Sequence, residues 1–285
     1  MKKLVAILIL TGLVFFMGQA QVPWENRQQL SFNEGWLFAK GEQVGAEQPG
    51  FEDAGWRSLD LPHDWAIEGP FDVQYNARAG GLPFHGTGWY RKHFELPAGQ
   101  AGKRVKVVFD GAMNNAVVWV NGEKVGERPY GYTTFYFDIT NVVKAGEDNV
   151  IAVRLTPEDL SSRWYPGAGI YRNTWIEYNE QVHFAHWGTF VTTPEVDDER
   201  SQVKVVTSIE NHEQIEVEIL LSQHIQAPDG SEAAKGQRTV KLAPGKATDV
   251  IQLIDVHDIA RWDVDDPQLY TLLTNISRGE QVLDS

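Results

Sequence analysis

The chain has 285 residues, with 25 Lys plus Arg against 39 Asp plus Glu, a formal net charge of −14, 26 Gly, 13 Pro and no cysteine. At 42% apolar and 22% charged residues the composition is that of a globular protein long enough for one or two cores, which excludes a disordered or collagen-like chain. The acidic excess and the lack of any basic run argue against nucleic acid as a partner and favour a neutral ligand over an anionic one; the missing cysteines remove disulfides, catalytic thiols and thiolate metal sites.

Residues 1–20 stand apart. Lys2 and Lys3 precede an apolar run from residue 4 to residue 17, and the small-residue site Gly18-Gln19-Ala20 follows. The run is shorter than the ~20 residues of a membrane span, so 1–20 is expected to be an export signal, with Gln21 as the mature start and a periplasmic or extracellular destination. An uncleaved N-terminal anchor is the alternative.

From residue 27 onward, short alternating runs recur between turn residues, and the pattern predicts an all-β protein. Strands are expected over 105–109, 116–120, 123–125, 134–137, 149–155 and 174–178. Asn121-Gly122 between two of them is a strong hairpin signal, because a two-residue type I′ turn needs positive φ at both centres. Eight of the ten tryptophans lie at or before Trp175, and this shift near residue 180 divides the chain into a first domain over 27–180 and a second over 181–285. The first suits a jelly-roll-type β-sandwich and the second an immunoglobulin-like β-sandwich. In the second, strands are expected over 203–209, 215–221, 239–242, 249–254 and 267–275, with turns at Asp229-Gly230, Pro244-Gly245 and Arg278-Gly279. Ile215, Val217 and Ile219 alternate with Glu216 and Glu218, so Ile215 is expected on the buried face. Residues 281–284 read as the start of a last strand cut short, which suggests a fragment.

Four segments hold more Trp, His, Asp and Gly than a sandwich core requires: 61–65 (Leu-Pro-His-Asp-Trp), 75–81 (Tyr-Asn-Ala-Arg-Ala-Gly-Gly), 86–94 (Gly-Thr-Gly-Trp-Tyr-Arg-Lys-His-Phe) and 161–172, which contains Arg-Trp-Tyr-Pro-Gly-Ala-Gly-Ile-Tyr-Arg. Aromatic faces stack on sugar rings while Asp, Asn and Arg hydrogen-bond hydroxyls, so the mixture fits a carbohydrate. Asp64 either binds a hydroxyl or caps a turn. Trp89, Trp119 and Trp175 are expected in the core, and Gly167 and Gly169 are expected to serve backbone geometry.

Together with Phe109-Asp110-Gly111, Trp119-Val120-Asn121-Gly122 and Gly-Tyr-Thr-Thr-Phe at 131–135, these motifs resemble, in order and spacing, the sugar-binding domain of glycoside hydrolase family 2, the β-galactosidase and β-glucuronidase family. The segment with Trp262 and Asp-Pro-Gln-Leu-Tyr at 266–270 is similar to that family's immunoglobulin-like domain. The resemblance implies retaining hydrolysis by two glutamates on a (β/α)8 barrel that follows the second domain, where the two carboxyl groups stand about 5 to 5.5 Å apart. No catalytic residue is therefore expected in this chain, and alone it should be inactive. Family members lend first-domain loops to the sugar pocket, which singles out Asn76, Arg163, Trp164 and Tyr165 beside Asp64 as substrate-binding candidates. Relatives carry an Asp near the later segment where this chain has Arg163, with Asp159 further upstream.

A β-galactoside is the expected substrate and a β-glucuronide the alternative. A free-standing carbohydrate-binding module is the competing function. The carboxylates Asp64 with Asp72, or Glu158 with Asp159, are the candidates for a catalytic pair within the chain, with turn or surface roles the plainer explanation. His183 and His186 are three apart with no third ligand close in sequence, so neither a metal nor any other cofactor is expected.

Overall fold

The structure is a computed structural model and describes residues 27–75, 86–157, 167–197 and 200–285. Residues 1–20, expected to be an export signal, lie outside the described residues. So do Asn76, Glu158, Asp159, Arg163, Trp164 and Tyr165. Among the described residues no helix is long and apolar enough to cross a membrane.

Ten antiparallel strands form the first sandwich: β1 (Gln28–Ser31), β2 (Trp36–Lys40), β3 (Arg57–Leu59), β4 (Gly88–Glu95), β5 (Arg104–Phe109), β6 (Ala116–Val120), β7 (Glu123–Arg128), β8 (Phe135–Asp138), β9 (Asp148–Leu155) and β10 (Thr174–Asn179). A six-stranded sheet of order β3-β2-β4-β9-β6-β7 faces a four-stranded sheet of order β1-β10-β5-β8. Neighbours such as β4 with β9 and β5 with β10 are far apart in sequence, as a jelly roll requires. The hairpin between β6 and β7 turns on Asn121 and Gly122 at φ of 52° and 85°, the positive pair of the expected type I′ turn.

Alternation along each strand decides what faces inward. Val105, Val107 and Phe109 of β5 and Ile176 and Tyr178 of β10 meet Phe38, Tyr90, Val118, Ile151 and Val153 of the opposite sheet, with Trp36 and Trp65 completely enclosed among them. Trp89 is buried, as expected, yet not in that core. It lies on the outer face of the six-stranded sheet with Ala46 and Ala152, stacked on the half-buried Trp119 at 5.4 Å, beneath a covering loop that supplies Phe51 and Trp56. Trp175 is also half-buried, on the far face of β10, and its indole N–H donates to Asp110 Oδ2 over 3.0 Å. The core reading was therefore incomplete for Trp119 and Trp175.

The second sandwich comprises β11 (Val182–Val196), β12 (Arg200–Asn211), β13 (Val217–Gln226), β14 (Glu232–Leu242), β15 (Lys246–His257), β16 (Thr271–Arg278) and β17 (Gln281–Asp284). Its sheets run β11-β12-β15 and β14-β13-β16-β17. Ile209, Val217, Ile219, Leu221, Val250 and Ile276 fill the space between them. Ile215 is not part of that core. Strand β13 begins only at Val217, and Ile215 is 62% exposed, because Asn211 Nδ2 donates to the Ile215 carbonyl and holds the residue in the approach to the strand. Residues 267–270 likewise precede β16 and do not extend it. Residues 281–284 pair with β16, and Asp284 Oδ2 accepts hydrogen bonds from the Phe184 N–H over 2.8 Å and from Arg27 over 2.9 Å.

Strands β11 and β12 lie against the outer face of the four-stranded sheet. Lys106 and Glu177 alternate with core residues on β5 and β10 and would be solvent-facing in an isolated sandwich; here both are 3% exposed. His186 reaches Glu177 at 3.7 Å, and His183 reaches Lys106 at 3.2 Å.

Candidate functional site

Strand register gathers the motif loops at one end of the first sandwich. Gly88 opens β4 opposite Leu155, which closes β9; Phe109 closes β5 opposite Thr174 and Phe135, which open β10 and β8. Ala116 opens β6 opposite Arg128, which closes β7. The segments 110–115, 129–134 and 167–173 therefore leave or enter the sheets on the same side, and 60–75, which leaves β3 at Leu59 opposite the first residue of β2, is brought to them by its own backbone hydrogen bonds.

Backbone hydrogen bonds knit these segments together. The His63 N–H donates to the Ile170 carbonyl and the Trp65 N–H to that of Ala168, both over 2.9 Å. Met113 and Gly169 exchange N–H to carbonyl bonds of 2.9 and 3.0 Å, while Asn115 donates to Pro129 and Thr156 to Asn114, each over 3.0 Å. Gly169 is required by space as well as by its φ of +147°: a Cβ there would overlap the His63 carbonyl oxygen and meet the Tyr90 hydroxyl.

Asp64 is the hinge of this arrangement. Extended backbone at Asp64 leads into a short 3-10 turn over Trp65–Ile67, and its Oδ1 accepts hydrogen bonds from the N–H groups of Ala66 at 2.8 Å and Ala168 at 3.0 Å. One oxygen thus caps its own turn and fastens a strand connection 104 residues away. Of the five substrate-binding candidates, Asp64 alone falls among the described residues. Asp72 Oδ1 accepts from the Gln74 N–H over 2.9 Å, so Asp64 and Asp72 each cap a local turn.

Beside Asp64 stands an ionic cluster that sequence reading did not identify. His63 Nε2 donates to Glu68 Oε1 over 3.0 Å, and its Nδ1 accepts from the Tyr90 hydroxyl over 2.7 Å, a pattern that selects one imidazole tautomer. Burial, partly opposed by Glu68, holds the His63 imidazole below its ordinary range. Partial burial would raise the Glu68 carboxyl, but hydrogen bonds from His63, Arg57 and Lys40 outweigh it and bring the group to about 2. Lys40, Arg57, His63 and Glu68 come from β2, β3 and the loop after β3, so only the sheet pairing brings them together. At the same end Tyr132 lies between Tyr130 and Tyr171 at ring separations of 5.9 and 6.3 Å, and the Tyr171 hydroxyl donates to the Gly131 carbonyl. Tyr130 is 56% exposed and Trp65 fully buried, so tyrosine rather than Trp65 presents aromatic surface here.

One group of metal-ligand type also forms, at the seam between the sandwiches. His186 turns away from His183, but Glu210 and His212 join His183 to make a three-ligand set. The sequence spacing had offered no such third ligand.

Comparison with known proteins agrees with this architecture. The family model described as glycosyl hydrolases family 2, sugar binding domain, matches residues 70–178, and that described as glycosyl hydrolases family 2 matches residues 182–285. The chain is 41% identical over 261 residues to β-galactosidase BoGH2A of Bacteroides ovatus, an alignment covering 90% of this chain and 31% of that protein. A β-glucuronidase of Formosa agariphila described as putative in its name is 29% identical over 99% of this chain and 26% of its own length. Among solved structures, a glycosyl hydrolase family 2 member from Bacteroides cellulosilyticus superposes with a TM-score of 0.81 at 36% identity, over 90% of this chain and 35% of that one. A family 2 β-glucuronidase superposes with a TM-score of 0.84 at 26% identity, over 91% of this chain and 30% of its own. The chain spans about a third or less of the length of these relatives. With a sugar-binding jelly roll and an immunoglobulin-like sandwich joined in the order expected from its motifs, it belongs to glycoside hydrolase family 2.

Proposed function

We propose that this chain is the non-catalytic N-terminal portion of an exported retaining glycoside hydrolase acting on β-galactosides. The observation that carries the reading is the convergence of the motif loops at one end of the first sandwich, pinned by the double hydrogen bond to Asp64. A pocket wall must hold its shape while a sugar is distorted and cleaved, and backbone-to-backbone ties provide that rigidity. Asn76, Arg163, Trp164 and Tyr165 follow or precede these tied segments and are proposed to reach the sugar, with aromatic stacking and hydrogen bonds to hydroxyls as their contribution.

Hydrolysis itself would fall to a pair of glutamates on a barrel in the whole protein, one protonating the leaving oxygen and the other forming the glycosyl-enzyme intermediate. The second sandwich would brace the first against that barrel. A galactoside is favoured over a glucuronide by the 41% identity to BoGH2A against 29% to the Formosa relative, and by an acidic surface that does not attract an anionic sugar.

The test compares residues 21–285 with the whole protein on nitrophenyl β-galactoside and β-glucuronide. The whole protein is expected to cleave the galactoside with the higher kcat/KM, and residues 21–285 alone to cleave neither. Turnover by the short chain above a matched blank overturns the non-catalytic assignment, and preference of the whole protein for the glucuronide overturns the substrate.

A further inference from the structure

The seam between the two sandwiches holds a buried polar cluster for which sugar binding has no use. His183 on β11 is fully buried, and its Nδ1 lies 2.8 Å from the Glu180 carbonyl oxygen, to which it donates. The proton is therefore on Nδ1, and Nε2 presents a lone pair. Nε2 faces Glu210 Oε2 at 3.3 Å. Glu210 is the direct cross-strand partner of His183 in the β11–β12 ladder, and His212, two residues on, places its Nε2 2.9 Å from the same carboxylate oxygen. The two imidazoles stack at 5.3 Å with planes 10° apart, and one ligand atom from each residue lies within 4.8 Å of the other two.

Two imidazole nitrogens and one carboxylate oxygen make a donor set suited to zinc and neighbouring divalent transition ions. Ligand atoms about 2.0 to 2.2 Å from such an ion stand roughly 3.3 to 3.5 Å apart at the corners of a tetrahedron, and here Glu210 Oε2 lies 3.3 Å from His183 Nε2 and 2.9 Å from His212 Nε2. The Glu180 carbonyl on the far nitrogen of His183 is the orienting contact a metal-binding histidine needs. A cleft of about 330 Å³, lined by Lys106, Tyr136, Asp138, Lys246 and two members of the cluster, Glu210 and His212, opens onto it.

A positive charge already lies against this acceptor set. The Lys106 ammonium, from β5 of the first sandwich, is 3.2 Å from His183 Nε2 and 3.7 Å from Glu210 Oε2. Lys106 also has somewhere to go: Asp138 is its cross-strand partner on β8, on the same face and lining the same cleft.

We propose that His183, Glu210 and His212 form a divalent transition-metal site of the zinc class, in which the Lys106 ammonium holds the ion's place and yields it by turning toward Asp138. Binding then exchanges a lysine contact that ties the two sandwiches for a metal held by the second sandwich alone, and any proton on His212 Nε2 leaves to solvent as the ion enters.

The test titrates the untagged, chelator-stripped chain with zinc chloride by calorimetry and with cobalt(II) by visible absorption. One ion per chain is expected. Lys106→Met should tighten binding, and His212→Ala and Glu210→Gln should each weaken it by about tenfold or more. His212→Ala lies at the open edge of the cluster, so it serves even where Lys106→Met fails to fold, as tryptophan fluorescence would show. Absence of saturable binding by the unsubstituted chain overturns the proposal. So does binding that His212→Ala and Glu210→Gln leave unchanged.

Discussion

Replacing Asp64 with alanine removes the acceptor shared by the Ala66 and Ala168 N–H groups while leaving the strands untouched. A hydrogen bond to a charged group contributes about 1.5 to 3 kcal/mol, and an N-cap alone about 0.5 to 2. Because Asp64 is half-buried, water can satisfy part of what is lost, and the expected cost of Asp64→Ala is about 2 to 4 kcal/mol. At roughly 2 to 4 °C per kcal/mol for a unit of this size, Tm falls by about 4 to 16 °C. Asp64→Asn keeps an oxygen in place and gives up only the charge, so its cost is about 1 kcal/mol. Tryptophan fluorescence is a selective probe, since six of the eight described tryptophans belong to the first sandwich. An Asp64→Ala chain melting within about 2 °C of the unsubstituted one would refute the hinge role, because so small a shift corresponds to about 1 kcal/mol or less. In the whole protein the same pair separates support from contact. A raised KM in Asp64→Asn with Tm unchanged assigns the carboxylate to the sugar, whereas a KM that tracks the loss of Tm across both variants assigns it to the loop.

Arg91 is fully buried; its Nε donates to Asp53 over 2.7 Å and its guanidinium to the carbonyls of Ala46, Gln48 and Pro49, so it holds down the loop over Trp89. Arg91→Ala should cost about 3 to 5 kcal/mol and open residues 41–56 to limited proteolysis, and equal cleavage rates with and without the substitution would contradict this. Gly169→Ala should cost about 3 to 5 kcal/mol through overlap with the His63 carbonyl and strain at φ of +147°, measured as a shift of the urea midpoint, with a change below 1 kcal/mol counting against the close approach. His63 is lowered from 6.5 by burial, so the unfolded chain takes up the proton first and this contribution is present above pH 6.5 and lost as pH falls below it. Glu68, ordinarily at 4.5 and here at about 2, adds stability that is complete above 4.5 and lost as pH falls toward 2. The Tm advantage over Glu68→Gln should therefore shrink between pH 4.5 and 2; a difference that stays constant across that window excludes the ion pairs as its source.

The strands and their turns were largely legible in the sequence because they rest on local chemistry. Asn121-Gly122 dictates its hairpin through the φ values its two residues tolerate, and the alternation of Val105, Val107 and Phe109 names the inward face of β5 without reference to any other strand. Ile215 shows where alternation misleads: it continues the pattern of β13 but lies before the ladder starts, since pairing with β14 begins only at Val217. For Asp64 the sequence left cap and ligand equally open, and a backbone N–H from residue 168 was needed to display the capping role. The metal-type cluster was illegible for a related reason. A search near His183 finds His186, whose side chain leaves for Glu177, while the true neighbours are separated by 27 and 29 residues and arrive through register.

By itself the sequence determined the all-β class, the two-sandwich order and the family motifs, because period-2 alternation, turn chemistry and motif spacing are written along the chain. Only the tertiary structure decided which outer faces are covered, so that Lys106 and Glu177 are buried under β11 and β12, and which charged groups converge at Glu68 and Glu210. Those outcomes depend on strand pairing and sheet packing between residues distant in the chain, and no local pattern encodes the distance between two side chains that meet across a ladder.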